Sequence, residues 1–152
     1  MSPLIQKMSV GSLKPNLRRG QVFEVAMRES DGITLKGGDS SRDKYTVIIG
    51  VDADFVYGCV LINSRINQNI AKTNPEFYDY QYPLLQFRYK EMLKDPSHVN
   101  CTRIFDIPAS RFTHPSTKYI GQLSDEDMLY IIDLVKSSRM IPATKKKRFN
   151  LL

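Results

Sequence analysis

The sequence predicts a mainly β protein, a small curled antiparallel sheet with one C-terminal helix packed on it. The strongest observation is the stretch of residues 44–65, KYTVIIGVDADFVYGCVLINSR, in which two runs of Val, Ile, Leu and aromatic residues flank a short acidic turn. Other short apolar runs alternate with long polar segments, and only one stretch near the C-terminus has clear helical periodicity. Together these features indicate several short strands and a single helix.

The apolar runs predict five strand regions, at residues 21–27, 45–51, 55–62, 82–89 and 98–107. The second and third form a hairpin through the turn Asp52-Ala53-Asp54. Pro83 places the start of the fourth at a sheet edge or a bulge, because proline cannot donate to a ladder. Residues 98–107 form either a pair of strands or one strand kinked around Thr102-Arg103.

One helix is predicted after Ser124, a good N-cap residue with Asp127 three positions on in a capping-box arrangement. The residues that follow place their apolar side chains on a single stripe, at Met128, Ile131, Ile132 and Val135. Pro142 is expected to end this helix.

A chain of 152 residues is long enough for one domain with a real core, which we place at residues 20–140 between a flexible arm at 1–19 and a tail at 141–152. No apolar run is long enough to cross a membrane, and the N-terminus lacks the apolar centre of a signal peptide, so a cytoplasmic protein is expected. Cys59 and Cys101 lie in apolar runs and are expected to be reduced core residues rather than a disulfide. The two histidines are not spaced to form a zinc site with them.

The net charge of +6 is concentrated at the two ends of the chain. Residues 1–19 and 139–152 contain nine lysines and arginines and no acidic residue, so the centre of the chain is net negative. Basic ends attract any polyanion, RNA included, without sequence preference. The alternative is that they are solvated tails that keep the protein soluble.

Polar side chains at the ends of the two central strands are the first candidate site. In a hairpin with so short a turn, the start of one strand lies beside the end of the other. This brings together Arg42, Lys44, Asn63, Ser64 and Arg65. Such cations and hydrogen-bonding groups suit a phosphate ligand.

Two long polar segments add further candidates. The loop of residues 28–43 has glycines, hydroxyls and a cation that together can wrap a phosphate: Lys36, Gly37, Gly38, Ser40 and Ser41. The connection of residues 66–80 carries amides such as Asn67 and aromatic residues such as Tyr78. Amides beside aromatic rings can bind unpaired bases, although these rings can equally pack the loop onto the sheet.

Five motifs in order resemble those of the PemK/MazF family of toxin endoribonucleases. They are residues 19–25 (RGQVFEV), 44–49 (KYTVII), 60–64 (VLINS), 97–101 (SHVNC), and 110–112 with 120–124 (SRF and IGQLS). The resemblance covers about residues 19–138. The chain departs from the family where Lys44-Tyr45 replaces Arg-Pro, where Asn63 replaces threonine, and where Asn100 and Thr102 replace the Arg and Asp of some members.

The resemblance implies an SH3-like barrel that cleaves single-stranded RNA through attack of the 2′-hydroxyl, without a metal or cofactor. It also implies a type II toxin–antitoxin system, hence an antitoxin partner, and a homodimer. Arg42, Lys44 and Arg65 would then stabilise charge on the phosphate, and Asn63 and Ser64 would orient it. His98 is a candidate base, since its ordinary pKa is near 6.5, although a single histidine beside a strand is more often structural.

Two alternatives accompany this hypothesis. One is a catalytically inactive PemK/MazF-like module that binds RNA or a protein partner through the same residues. The other is an SH3-like interaction module with no role in nucleic-acid binding.

Overall fold

The computed structural model describes residues 17–152, which form a six-stranded antiparallel sheet with short helices around it. The strands are β1 (Gln21–Met27), β2 (Arg42–Val51), β3 (Val56–Asn63), β4 (Gln81–Leu84), β5 (Ser97–Pro108) and β6 (Lys118–Gln122). Their order across the sheet is β4-β5-β3-β2-β1-β6.

The mainly β class is confirmed. The SH3-like barrel stays a prediction, because no pairing joins β4 to β6 within residues 17–152. The predicted N-terminal arm lies outside the described residues, apart from residues 17–19.

Three strands differ from the prediction by more than one residue at an end. β2 begins at Arg42, three residues early, because its ladder with β1 continues as far as the pair Met27 and Arg42. The fourth strand ends at Leu84, where the chain turns into a short 3-10 helix at Gln86–Arg88. β6 was not predicted, and it pairs with β1.

β5 is one continuous strand with an irregularity in the middle. Its pairing with β3 shifts register, so that Cys59 is opposite Phe105 while Leu61 is opposite Asn100. Of the two alternatives for this region, the single kinked strand is therefore the one observed.

The α-helices are α1 (Gln68–Thr73), α2 (Ala109–Phe112), α3 (Asp125–Ser137) and α4 (Ala143–Arg148). Two further 3-10 helices cover Glu29–Asp31 and Pro75–Tyr80. Among the helices of the described part, none has the length and apolar character needed to span a membrane.

α3 is the predicted helix, and its four stripe residues are all buried. Ser124 is its N-cap, since the Asp127 backbone N–H donates to Ser124 Oγ at 3.1 Å. The second bond of a capping box, from the Ser124 N–H to the Asp127 carboxylate, is replaced by other contacts. The Ser124 N–H donates to the Tyr89 hydroxyl. The Asp127 carboxylate accepts from the hydroxyls of Tyr82 and Tyr89. The helix ends at Ser137, and Pro142 instead precedes α4.

The central strands of the sheet are buried on both faces. On one face Val47, Val60 and Val99 pack under α3, and on the other Phe23, Ile48 and Tyr57 form a second cluster with Phe112 of α2. The two cysteines are free and buried, one in each cluster, so they are core residues as expected. Burial raises the pKa of the Cys101 thiol to about 12, which keeps it protonated at neutral pH.

The basic C-terminal segment is folded onto the sheet and is not a solvated tail. Lys145 Nζ and Arg148 Nη1 each lie 2.8 Å from Asp106 Oδ2, and Arg148 Nε lies 2.8 Å from Asp52 Oδ2. Phe149 is 1% exposed, and its ring packs directly against Gly58. A Cβ added at Gly58 would lie only 2.8 Å from this ring, so glycine leaves the space that the ring fills. Much of the positive charge that the sequence places in this segment is therefore used to hold it in place.

Candidate functional site

A cleft of about 1100 Å³ opens where β2 begins and β3 ends. The loop of residues 32–36 lines one side, α1 and the residues before it line another, and β4 and β5 contribute side chains from across the sheet. Leu61 and Phe105, which belong to the second core cluster, reach its lining. The cleft therefore lies at the end of that cluster, where apolar side chains give way to polar ones.

Five cationic side chains line this cleft together with one acidic residue, Asp43. The cations are Lys36, Arg42, Lys44, Arg65 and Arg103. Within residues 17–152, no ion pair joins any of these five to a carboxylate. Five unpaired cations against a single carboxylate create a positive potential, so the cleft is suited to an anionic ligand.

Lys44 and Asn63 are brought together by the antiparallel pairing of β2 and β3, in which the neighbouring residues Tyr45 and Ile62 are partners. Lys44 Nζ donates to Asn63 Oδ1 at 3.3 Å. Burial, and then the charge of nearby Arg42, lower the pKa of the Lys44 ammonium from its ordinary value. A larger share of Lys44 is consequently a neutral amine than for an exposed lysine at the same pH.

The first part of the 28–43 loop is anchored by two arginines. Asp31 accepts from both terminal nitrogens of Arg111, at 2.8 and 3.1 Å, and from the Arg28 N–H. Burial works to raise the pKa of Asp31, but these hydrogen bonds outweigh it and the pKa is lowered. Arg103 Nη1 donates to the Gly32 carbonyl at 2.8 Å, while its guanidinium lies 4.4 Å from the centre of the Phe105 ring. The start of this loop is therefore an ordered wall of the cleft.

Seven of the predicted site residues line the cleft: Lys36, Arg42, Lys44, Asn63, Ser64, Arg65 and Asn67. Asn67 is also the N-cap of α1, and its side-chain oxygen accepts from the N–H groups of Asn69 and Ile70. That oxygen is already satisfied, so Asn67 offers mainly its amide nitrogen.

Six predicted site residues do not line the cleft: Gly37, Gly38, Ser40, Ser41, Tyr78 and His98. The two glycines have positive φ values of 40° and 81° and open space around them, as expected at an exposed turn. The Tyr78 hydroxyl donates to Gln68 Oε1 at 2.7 Å, which ties the ring to α1. His98 is half-buried opposite Asn63, and its Nδ1 has no hydrogen-bond partner in the described structure.

The polar residues of the cleft that were not among the predicted site residues include three from the far strands of the sheet, namely Gln81, Asn100 and Arg103. Gln81 lies on β4 and the other two on β5. Asn100 is opposite Leu61, two residues before Asn63 on β3. Finding these residues from sequence requires the β3–β5 and β4–β5 registers, which local patterns do not contain.

Residues 17–152 contain no group of three or more His, Cys, Asp or Glu placed to hold a metal ion. In comparisons with known proteins, no family model matches this chain, and no curated protein matches it either. The fold and the site together therefore define a class only: a mainly β protein with a cationic cleft at one end of its central hairpin.

Proposed function

We propose that this protein binds single-stranded RNA in the cleft and cleaves it, acting as a metal-independent endoribonuclease toxin of a type II toxin–antitoxin system. The observation that carries the proposal is the set of five cations that line one cleft without a carboxylate partner. By contrast, Arg111, Lys145 and Arg148 are all paired with aspartates elsewhere. The PemK/MazF resemblance supplies the toxin role, the SH3-like barrel, the antitoxin partner and the homodimer.

The cleft provides groups for cleavage by the 2′-hydroxyl. Lys44, with its lowered pKa, is the residue we assign to take the 2′-hydroxyl proton on Nζ. The 2′-oxygen then forms a bond to phosphorus, and Arg42 and Arg65 stabilise the charge of the phosphorane. The bond from phosphorus to the 5′-oxygen breaks, and that oxygen takes a proton from water. The products are a 2′,3′-cyclic phosphate and a 5′-hydroxyl.

One observation favours a second candidate function, RNA binding without cleavage. Asn100 and Thr102 stand where some members of the resembled family carry Arg and Asp, and neither side chain can titrate near neutral pH. They are also bound to each other, since Thr102 Oγ1 donates to Asn100 Oδ1 at 2.6 Å. In that case Lys44 would be a phosphate ligand only.

The deciding experiment incubates the purified protein with mixed RNA in EDTA and looks for fragments that end in 2′,3′-cyclic phosphate. The proposal expects such fragments from the wild type. Lys44→Arg keeps the charge but cannot deprotonate, so it should retain RNA and lose cleavage. Lys118→Ala, which removes an exposed lysine of β6 outside the cleft, is the matched control and should cleave normally.

Arg42→Ala tests binding separately from chemistry. It should lower RNA retention on a filter while changing the free energy of unfolding by no more than about 0.5 kcal/mol, because Arg42 is exposed. If the wild type retains RNA but does not cut it, the nuclease proposal is overturned and the second candidate, RNA binding without cleavage, takes its place. A wild type that retains no RNA would overturn both.

A further inference from the structure

Two amide side chains lie side by side in the cleft, on neighbouring strands. Gln81 of β4 and Asn100 of β5 are register partners, so their side chains are on the same face of the sheet. Both are half-buried and both line the cleft. Their amide groups are joined by a hydrogen bond of 3.0 Å.

The hydrogen bonds around these amides determine which way each one points. The Thr102 backbone N–H can only donate, and it lies 3.1 Å from the Asn100 amide, so the Asn100 atom that faces it must be the oxygen. That oxygen accepts from the Thr102 hydroxyl and from Gln81 as well. The Gln81 atom that contacts both this oxygen and the Phe77 carbonyl must therefore be its nitrogen.

One donor and one acceptor remain unused. Asn100 Nδ2 and Gln81 Oε1 make no hydrogen bond to any residue between 17 and 152. Because Thr102 is buried and holds the Asn100 oxygen, the pair presents its free donor and free acceptor in a fixed arrangement. A ligand would meet this arrangement without first having to order it.

We propose that Gln81 and Asn100 read the edge of one unpaired nucleobase of the RNA, an inference that rests on the proposed function of the cleft. The edges of nucleobases present adjacent hydrogen-bond donors and acceptors. The free Gln81 oxygen and the free Asn100 nitrogen are a neighbouring acceptor and donor, so together they complement such an edge. Ile70, which is 40% exposed, also lines the cleft and supplies apolar surface for the base. Arg103, over Phe105, supplies a guanidinium that a base can stack on.

The position relative to the cations fits a nucleotide whose phosphate is bound at Lys44. Asn100 and Lys44 are two strand spacings apart across the sheet, with β3 between their strands, and two residues apart along it, which gives roughly 12 Å between backbone positions. Arg42, Lys44 and Arg65 would hold phosphate, which is the same in every nucleotide. Gln81 and Asn100 would supply the choice of base at one position.

The test is selection from short single-stranded RNA of randomised sequence, with the retained RNA sequenced. The wild type should enrich one base at one position. Asn100→Asp keeps the oxygen that Thr102 holds but replaces the free donor with an acceptor, so discrimination at that position should fall roughly tenfold or shift to another base. Asn69→Asp is the matched control, because it adds the same charge in the same cleft and should weaken retention with the base preference unchanged.

A second variant keeps the inference testable if Asn100→Asp folds poorly. Gln81→Met removes the free acceptor at similar length and should also relax the preference at that position only. If either folded variant retains RNA with the same base preference as the wild type, Gln81 and Asn100 do not read a base. The inference is then overturned, and the proposed function is unaffected. If the wild type retains RNA but prefers no base, the inference is likewise overturned and the proposed function is unaffected. If the wild type retains no RNA, the inference and the proposed function are both overturned.

Discussion

Replacing Phe149 by alanine should destabilise the whole fold, although only three residues follow it in the sequence. The ring is 1% exposed and packs against the sheet at Gly58, and the backbone carbonyl of Phe149 approaches Gly50. Truncation of a fully buried phenylalanine removes its transfer free energy and leaves a cavity, at a cost of about 3–5 kcal/mol. For a chain of this size, such a loss lowers the melting temperature by roughly 10 °C.

The assay is urea denaturation followed by circular dichroism, with the free energy of unfolding extrapolated to zero urea. Leu152→Ala is the matched control, because Leu152 is 72% exposed and its truncation should change that free energy by no more than about 0.5 kcal/mol. A loss below about 1 kcal/mol for Phe149→Ala would refute the packing described here, since a buried ring cannot be removed so cheaply. Such a result would also mean that the C-terminal segment is a solvated tail, as its composition suggests.

Two further predictions concern the cleft wall and the start of α3. Gly32→Ala should lower the free energy of unfolding by about 1–3 kcal/mol and weaken RNA retention, because Gly32 has φ 105° and an added Cβ would lie 2.1 Å from Arg103 Nη2. Gly38→Ala has the same kind of backbone strain but open space, so a similar loss of RNA retention there would contradict the role given to Arg103. Asp127→Asn should destabilise the protein most near neutral pH. Burial works to raise the pKa of Asp127 in the folded state, but the hydroxyl donors, Tyr82 and Tyr89 first among them, outweigh burial and lower it. This stability is present above the unfolded pKa of about 3.9 and is lost as pH falls through the lower folded pKa, so unfolding curves of the two proteins should converge in acid.

Local sequence patterns were sufficient for much of the secondary structure. The first strand has its predicted bounds, Gln21–Met27, because a short run of apolar residues specifies a strand without reference to the rest of the chain. The N-cap of α3 and its buried stripe were equally local, since a cap bond spans three residues and a stripe repeats every three or four. The same holds for the hairpin that places Lys44 beside Asn63, because its turn is short enough for the register to be inferred from the chain itself.

What only the tertiary structure decided was the set of contacts between residues far apart in the chain. Asn100 reaches the cleft because β5 pairs with β3, and Gln81 reaches it because β4 pairs with β5, and neither register is encoded by a local pattern. The basic C-terminal segment has the composition of a tail, yet Asp52 and Asp106 bind its cations and Gly58 leaves space for Phe149. Composition describes a segment in isolation, whereas the free energy that orders it comes from partners about forty to a hundred residues away.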